Sequence, residues 1–203
     1  MGIYGTRDGK FIAKKLTVQD KFPVSYSIPD IAGQSTTAIL SAFDIQSHAA
    51  NDITGTSMGA QPPYAMAITV QAINDGTAAN TDALTIKGYD ARGRYIEESV
   101  IISSTAQTGN SVASTNNAFA KITSMVSNTA TSGSTDINVG YTSRIGLPYK
   151  IDKFSDIITY CYGSAYSTTN ASTMVFSSTY HTVTLPAMAV GKSLNLLWRS
   201  RLQ

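Results

Sequence analysis

At 203 residues, the chain is long enough for one medium-sized β-domain with its own core, or for two small ones. Charged residues make up 14% of it, against a usual share of about 25%, and the formal net charge is +2. We therefore expect no nucleic-acid partner, because duplex binding needs basic residues concentrated on one face. The single cysteine, Cys161, excludes an intrachain disulfide and a zinc site built from several thiolates.

The N-terminal residues 1–18 are predicted to form an arm and a first strand. They contain no apolar stretch of the length that a signal peptide needs, and no run in the chain reaches about 18 apolar residues. We expect synthesis in the cytoplasm and no membrane partner. The basic and aromatic residues of this arm are either solvated or contacts for an acidic protein surface: Tyr4, Arg7, Lys10, Phe11, Lys14 and Lys15.

The next strands are predicted at Phe22–Ile28 and Thr36–Ile45. The stretch Gly55–Gly59 then matches the G-x-S-x-G pattern of a hydrolase nucleophile, with His48 and His181 as available bases. That pattern needs a buried strand before the serine and a helix after it, whereas two prolines follow within a few residues. The sequence therefore favours a loop here.

Residues 64–148 have the clearest strand periodicity. Met66–Ala72 and Ile137–Tyr141 alternate apolar with small or polar residues, as expected for strands with one buried face. Asp75 and Asp82 lie in a segment rich in Asn and Gly, which suits a turn or, less specifically, a calcium ligand set. We expect a turn, and no metal or other cofactor.

A β-hairpin is predicted around Asp90, Arg92 and Gly93, because Gly93 can take the positive φ of a type I turn followed by a bulge. The return strand is irregular, since Glu98 shares a face with Ile96 and Val100. Either a bulge near Glu97 resets the register, or both faces of the strand are covered.

Segments rich in Ser, Thr, Asn and Gly are expected to be long loops, and further strands are expected between them. The predicted loops are Ser103–Asn117, Ser127–Thr135 and Gly163–Thr173. The predicted strands are Ala118–Val126, Asp156–Tyr162, Met174–Leu185 and Ser193–Trp198. The residues from Trp198 to Gln203 are expected to form a C-terminal arm with three interface candidates: Trp198, Arg199 and Arg201.

About ten short strands separated by turns indicate an all-β fold, an antiparallel β-sandwich or jelly-roll-like barrel with extended N- and C-terminal arms. We expect residues 19–203 to form one β-sandwich domain with its core in 64–148. The strands and tail of 149–203 are expected to join the same sheet, because a sheet of three strands is marginal alone. Abundant Tyr suits partly buried strands and interfaces, or a carbohydrate platform.

The order of elements between Gly88 and Pro148 resembles that of virion structural proteins of tailed bacteriophages. The elements are a G-x-D-x-x-G hairpin, a strand with Glu97 and Glu98, an AF-x-x-I strand and a VG…GLP ending. In this chain they are formed by Gly88, Asp90, Gly93, Ala118, Phe119, Ile122, Val139, Gly140, Gly146, Leu147 and Pro148.

The resemblance implies a non-enzymatic capsid cement or decoration protein on the capsid surface. Its expected partners are the major capsid protein and further copies of itself, as a trimer. A neck, tail or fibre component of the virion and a glycan-binding β-module are the alternatives. The turn carries Ala91, Arg92 and Arg94 where the family often has small polar residues.

Overall fold

The computed structural model of the chain describes residues 21–45, 53–75, 81–103, 112–127, 135–163, 174–186 and 191–201. These residues contain thirteen β-strands, a one-turn 3-10 helix at Phe154–Asp156 and no α-helix. The strands are β1 (Lys21–Ile28), β2 (Ser35–Asp44), β3 (Ile53–Thr54), β4 (Met66–Asp75), β5 (Thr81–Tyr89), β6 (Tyr95–Ser103), β7 (Val112–Phe119), β8 (Lys121–Ser127), β9 (Thr135–Gly146), β10 (Ile157–Gly163), β11 (Val175–Ser177), β12 (Thr182–Thr184) and β13 (Ser193–Arg201). The all-β prediction is confirmed.

The strands pair antiparallel and form three sheets. The largest has six strands: β11, β12, β9, β4 and β7 lie in that order, and β2 also pairs with β9. The second has the order β3, β8, β5, β6, and the third has the order β1, β13, β10. Because β4 occupies one edge of β9, β2 and β12 share its other edge, at Asp136–Tyr141 and Arg144–Gly146 respectively.

The first hydrophobic core is formed by residues of the six-stranded and four-stranded sheets. Alternate residues of β4, β5 and β9 are buried in it, namely Ile68, Val70, Ala72, Leu84, Ile86, Ile137 and Val139. Each buried Ile, Leu or Val stabilises the fold by about 1.5–3 kcal/mol relative to an exposed one. The period of two predicted for β9 is confirmed at Ile137 and Val139, whereas in β4 Ala67 and Thr69 are buried as well, so both faces of that strand are covered.

A second core joins the three-stranded sheet to the end of β9. Leu194, Leu196 and Trp198 of β13 are buried together with Ile145 and Val183. The described part of 151–203 is thus divided between two sheets: β11 and β12 extend the six-stranded sheet, whereas β10 and β13 pair with β1. The expectation that this segment joins one sheet is therefore wrong for β10 and β13.

Trp198 does not begin a free C-terminal arm, and that prediction is wrong for the described residues. Trp198 lies in β13, the central strand of its sheet, and is 0% exposed. Its indole Nε1 donates a hydrogen bond to the Lys150 carbonyl at 3.0 Å. A large ring with one polar atom gains most when it is buried with that atom paired.

The prediction that Ser103–Asn117 is a loop is wrong for the residues from Val112 onward, which belong to β7. This edge strand has the sequence VASTNNAF, in which four consecutive polar residues interrupt any apolar alternation, and two of them, Ser114 and Asn116, are exposed. The single strand predicted at Ala118–Val126 is two strands, since Ala120 separates β7 from β8. Similarly, a turn at 178–181 divides Met174–Leu185 into β11 and β12.

Gly140 of β9 provides a test of this topology. A Cβ atom there would collide with the backbone carbonyl of Ser35 in β2, whereas a Cβ on Gly55 would meet nothing within 4 Å. We expect Gly140→Ala to lower the free energy of unfolding by about 1–3 kcal/mol, because backbone must move to accommodate the methyl group. Gly55→Ala is the matched control and should change it by less than about 0.5 kcal/mol. Urea unfolding measures both; equal stability of the two variants would contradict the β2–β9 contact.

Candidate functional site

The turn between β5 and β6 has the predicted form. The Gly93 N–H donates to the Asp90 carbonyl at 3.0 Å, and the Asp90 N–H donates to the Arg94 carbonyl at 2.9 Å. Gly93 has a φ of 74°, the left-handed conformation that glycine adopts without steric cost.

The Asp90 carboxylate holds this turn together. Its Oδ1 accepts the backbone N–H groups of Arg92 and Arg94, at 2.8 and 3.0 Å. Its Oδ2 accepts hydrogen bonds from Nε and Nη2 of both the Arg92 and the Arg94 guanidinium groups, at 2.9–3.1 Å. The side chains of Asp90 and Arg92 are each 9% exposed, whereas that of Arg94 is 50% exposed. One buried carboxylate therefore faces two cations, and Arg92 Nη1 is buried with no hydrogen-bond partner.

Small residues let the hairpin approach the ends of β7 and β9. A Cβ on Gly146 would lie 2.8 Å from Ala118 Cβ, 3.0 Å from Ala65 Cβ and 3.6 Å from Ala91 Cβ. Similarly, a Cβ on Gly88 would collide with the Lys121 carbonyl of β8. We call this meeting of the β5–β6 turn with the ends of β7 and β9 the hairpin junction.

Glu98 connects the edge of the four-stranded sheet to β7. Its carboxylate accepts the backbone N–H groups of Asn116 and Asn117, at 2.7 and 2.9 Å, and the Asn117 side-chain amide at 2.9 Å. Neither alternative for the return strand holds: the β5–β6 register shows no shift near Glu97, and the face with Tyr95, Glu97 and Ile101 is exposed. Glu98 instead lies on the same face as buried Val100 because β7 supplies its hydrogen-bond donors.

His181 lies beside the hairpin junction, in the β11–β12 turn and not in the strand that the sequence predicts. It has a φ of 51°, and its Nδ1 is buried without a hydrogen-bond partner. Burial, followed by the positive charge of Lys150, lowers the pKa of His181. A cavity of about 10 Å³ between His181 and Arg92 has the volume of one water molecule.

The predicted interface residues fall into two groups. Tyr4, Arg7, Lys10, Phe11, Lys14 and Lys15 lie outside the described residues. Arg199 and Arg201 are exposed on β13, and Arg201 Nε lies 3.4 Å from Asp152 Oδ2. With Trp198 buried, only these two arginines of the predicted C-terminal set can contact a partner.

Sequence reasoning missed an aromatic cluster formed by Phe154, Tyr160 and Phe176. Their rings pack edge to face, with centroids 5.7–6.4 Å apart. Phe154 is 62% exposed although it belongs to this cluster. The three residues lie in separate segments, so no local spacing indicates them. The aromatic cluster bridges β10 and β11, which are edge strands of two different sheets.

The side chains of the Asp75–Asp82 calcium candidate lie outside the described residues, and so does part of the catalytic site considered from sequence. Ser57 is exposed in a turn after the two-residue strand β3, and its N–H donates to the Thr54 carbonyl at 3.0 Å. His48 lies outside the described residues. Within the described ranges no three His, Cys, Asp or Glu side chains are grouped closely enough to hold a metal ion. No helix there is long and apolar enough to cross a membrane.

Comparisons with protein-family models, with curated proteins and with solved structures each returned no match.

We expect Glu98→Gln to lower the free energy of unfolding by about 1–3 kcal/mol, because an amide cannot accept both backbone N–H groups as a carboxylate does. Glu97→Gln is the control, since Glu97 is exposed on the opposite face of the same strand. Chemical denaturation of both variants measures the difference. An equal effect at the two positions would mean that the Glu98 bonds do not stabilise the junction.

His181 should make stability depend on pH. Because burial lowers its pKa in the folded state below the ordinary value near 6.5, the unfolded chain binds the proton more readily. The stabilising contribution is therefore complete above about pH 6.5 and is lost as the pH falls toward the folded-state pKa.

His181→Asn is the variant that tests this, because asparagine tolerates the left-handed backbone and does not titrate. Unfolding free energies at about pH 7.5 and 5.5 should fall more for the natural chain than for the variant. Parallel pH profiles would exclude His181 as the titrating group.

Proposed function

We propose that the chain is a non-enzymatic structural protein of a tailed-bacteriophage virion, a capsid cement or decoration protein. It would bind the major capsid protein on the outside of the head, and other copies of itself as a trimer. The observation that supports this proposal is the hairpin junction, where the separate elements of the sequence resemblance meet in space.

Each element of the resemblance has a physical task at that junction. The Asp90 carboxylate organises the turn by accepting hydrogen bonds from two backbone N–H groups and two guanidinium groups. The Glu98 carboxylate accepts hydrogen bonds from the two backbone N–H groups just before Ala118. Ala118 in turn contacts the position of Gly146, at the end of β9. The residues of the resemblance thus form one interdependent structural unit. A chance match of unrelated short motifs explains their order in the sequence less well.

The aromatic cluster is the surface that best suits binding between copies. Exposed aromatic rings supply large contact areas at a low entropic cost, and open strand edges beside them can pair with another chain. Lys21 begins β1 and its ammonium group contacts the Asp156 carboxylate, two residues from Phe154. Lys21, the first residue that the structure describes, is therefore tied to the short segment that carries Phe154.

Shell proteins gain strength from repetition. Many modest contacts in a symmetric assembly bind far more tightly together than any one of them does alone. A low net charge of +2 suits such contacts, since neighbouring copies repel one another only weakly.

Copy number in purified particles of the encoding virus tests the proposal. We expect quantitative mass spectrometry to find copies in proportion to the capsid protein, as a protein covering the head requires. A few copies per particle would favour the neck, tail or fibre alternative, and absence from the particle would overturn the virion assignment.

The same particles test the aromatic cluster. Phe154→Ser should lower occupancy by about tenfold or more at limiting protein, because truncating an interface aromatic costs more than about 1 kcal/mol per contact. Tyr149→Ser is the matched control: Tyr149 is 42% exposed and also makes one edge-to-face contact, with Phe22. Equal occupancy of the two variants would remove the aromatic cluster from the interface.

A further inference from the structure

A groove of about 490 Å³ crosses the six-stranded sheet where β2, β4, β7 and β9 meet. Its volume falls within the range of about 300–1,000 Å³ that small-ligand sites occupy. Thr69 of β4 is 4% exposed and is the most buried of the residues that line the groove. Ser35 and Thr36 of β2 line one side, and Val112 and Ser114 of β7 line the other.

The groove exists because β2 does not follow β9 closely. The β2–β9 register shifts between Ser35 and Leu40, so the residues between them are displaced from the regular ladder. The Ser35 carbonyl occupies the space where Gly140 would otherwise carry a Cβ atom. This contact holds the start of β2 against β9 and leaves the space between β2 and β7 open.

The protein's own backbone orients three hydroxyl groups of the groove. The hydroxyls of Ser35 and Thr142 accept N–H groups, from Thr37 at 3.3 Å and from Arg144 at 3.1 Å. The Thr69 hydroxyl donates to the Ala113 carbonyl at 3.4 Å. Since a hydroxyl has one donor and two acceptor positions, Ser35 and Thr142 still have a free proton to donate. Thr69 keeps lone pairs that can accept.

The groove offers hydrogen bonds and apolar surface but no charge. No charged residue is among the described residues that line it. Val112 is 56% exposed, and Tyr141 lines the groove while packing against the first core. A ligand with many neutral hydroxyl groups and an apolar C–H face matches this combination.

We propose that this groove binds a neutral carbohydrate, one or two sugar rings of a longer glycan. Sugar hydroxyls both donate and accept, as the mixture of free donors and acceptors here requires. Fixed hydroxyls reduce the entropy lost on binding. An acidic sugar would bring a charge into a groove whose lining has no cation, and the guanidinium of neighbouring Arg144 already donates to the Thr115 carbonyl at 2.9 Å, so neutral glycans should be preferred. This activity is independent of the proposed place in the virion.

The experiment uses the full purified chain and a panel of neutral trisaccharides of hexose, N-acetylhexosamine and deoxyhexose units. Each is compared with a sialylated counterpart by isothermal titration calorimetry and saturation-transfer NMR. We expect at least one neutral sugar to bind saturably with a Kd of about 1 mM or tighter, and its sialylated counterpart to bind more weakly. No neutral binding at that level, or tighter binding of the acidic counterparts, would overturn the proposal.

Two variants locate the binding. Thr69→Val removes the buried hydroxyl, and Ser114→Phe fills the groove from its exposed side; each should weaken sugar binding by about tenfold or more. Thr123→Val is the control, because the Thr123 hydroxyl also donates to a backbone carbonyl, that of Lys87 at 3.0 Å, on a different sheet. Thermal unfolding checks that the variants remain folded. Thr69 is buried and Ser114 is exposed, so one packing defect would not account for a loss of sugar binding in both variants. Unchanged affinity in both, or binding of an extended Ser/Thr peptide with no sugar bound, would contradict the assignment.

Discussion

Strand β9 hydrogen-bonds along both edges, to β4 on one side and to β2 and β12 on the other. Its side chains serve two cores in turn, with Ile137 and Val139 in the first and Ile145 in the second. Two glycines make its neighbours' approach possible: Gly140 admits the Ser35 carbonyl, and Gly146 admits Ala118. The groove depends on the first of these contacts and the hairpin junction on the second, so both candidate sites follow from the sequence of this one strand.

Carboxylates connect elements that backbone ladders do not join. Glu98 links β6 to β7, and Asp156 links the 3-10 helix to β1 through Lys21. Asp90 performs the same task within its own turn. Hydrogen bonds to a charged acceptor are worth about 1.5–3 kcal/mol, and removing one partner leaves buried donors unpaired. The chain has only 13 acidic residues, and hydrogen-bond donors of the fold hold three of their carboxylates in place.

The strands with one apolar face could be predicted from sequence, because alternation reports burial directly. This holds for β5 and for β9 around Ile137 and Val139, whereas β4 is buried on both faces from Met66 to Val70. Gly93 indicated the hairpin turn because it can take a positive φ. The failures have a common physical cause: long-range partners override local pattern. β7 looks like a loop because its neighbours β4 and β6 satisfy its polar groups, and Trp198 looks terminal although two strands flank it. The aromatic cluster and the groove combine residues from distant segments, so no spacing could reveal either.

The groove and the aromatic cluster have no residue in common, so occupying one leaves the other accessible. They also differ in chemistry. Aromatic rings gain free energy from the area that they bury, whereas a hydroxyl-lined groove exchanges hydrogen bonds with water for hydrogen bonds with ligand and gains little per contact. A single groove of this kind is therefore a weak binding site. Its binding becomes strong only when many copies are held on one body, because each further contact with the same glycan-bearing surface is then intramolecular. An assembly of copies of the kind proposed above, held together by the aromatic cluster, would supply that repetition.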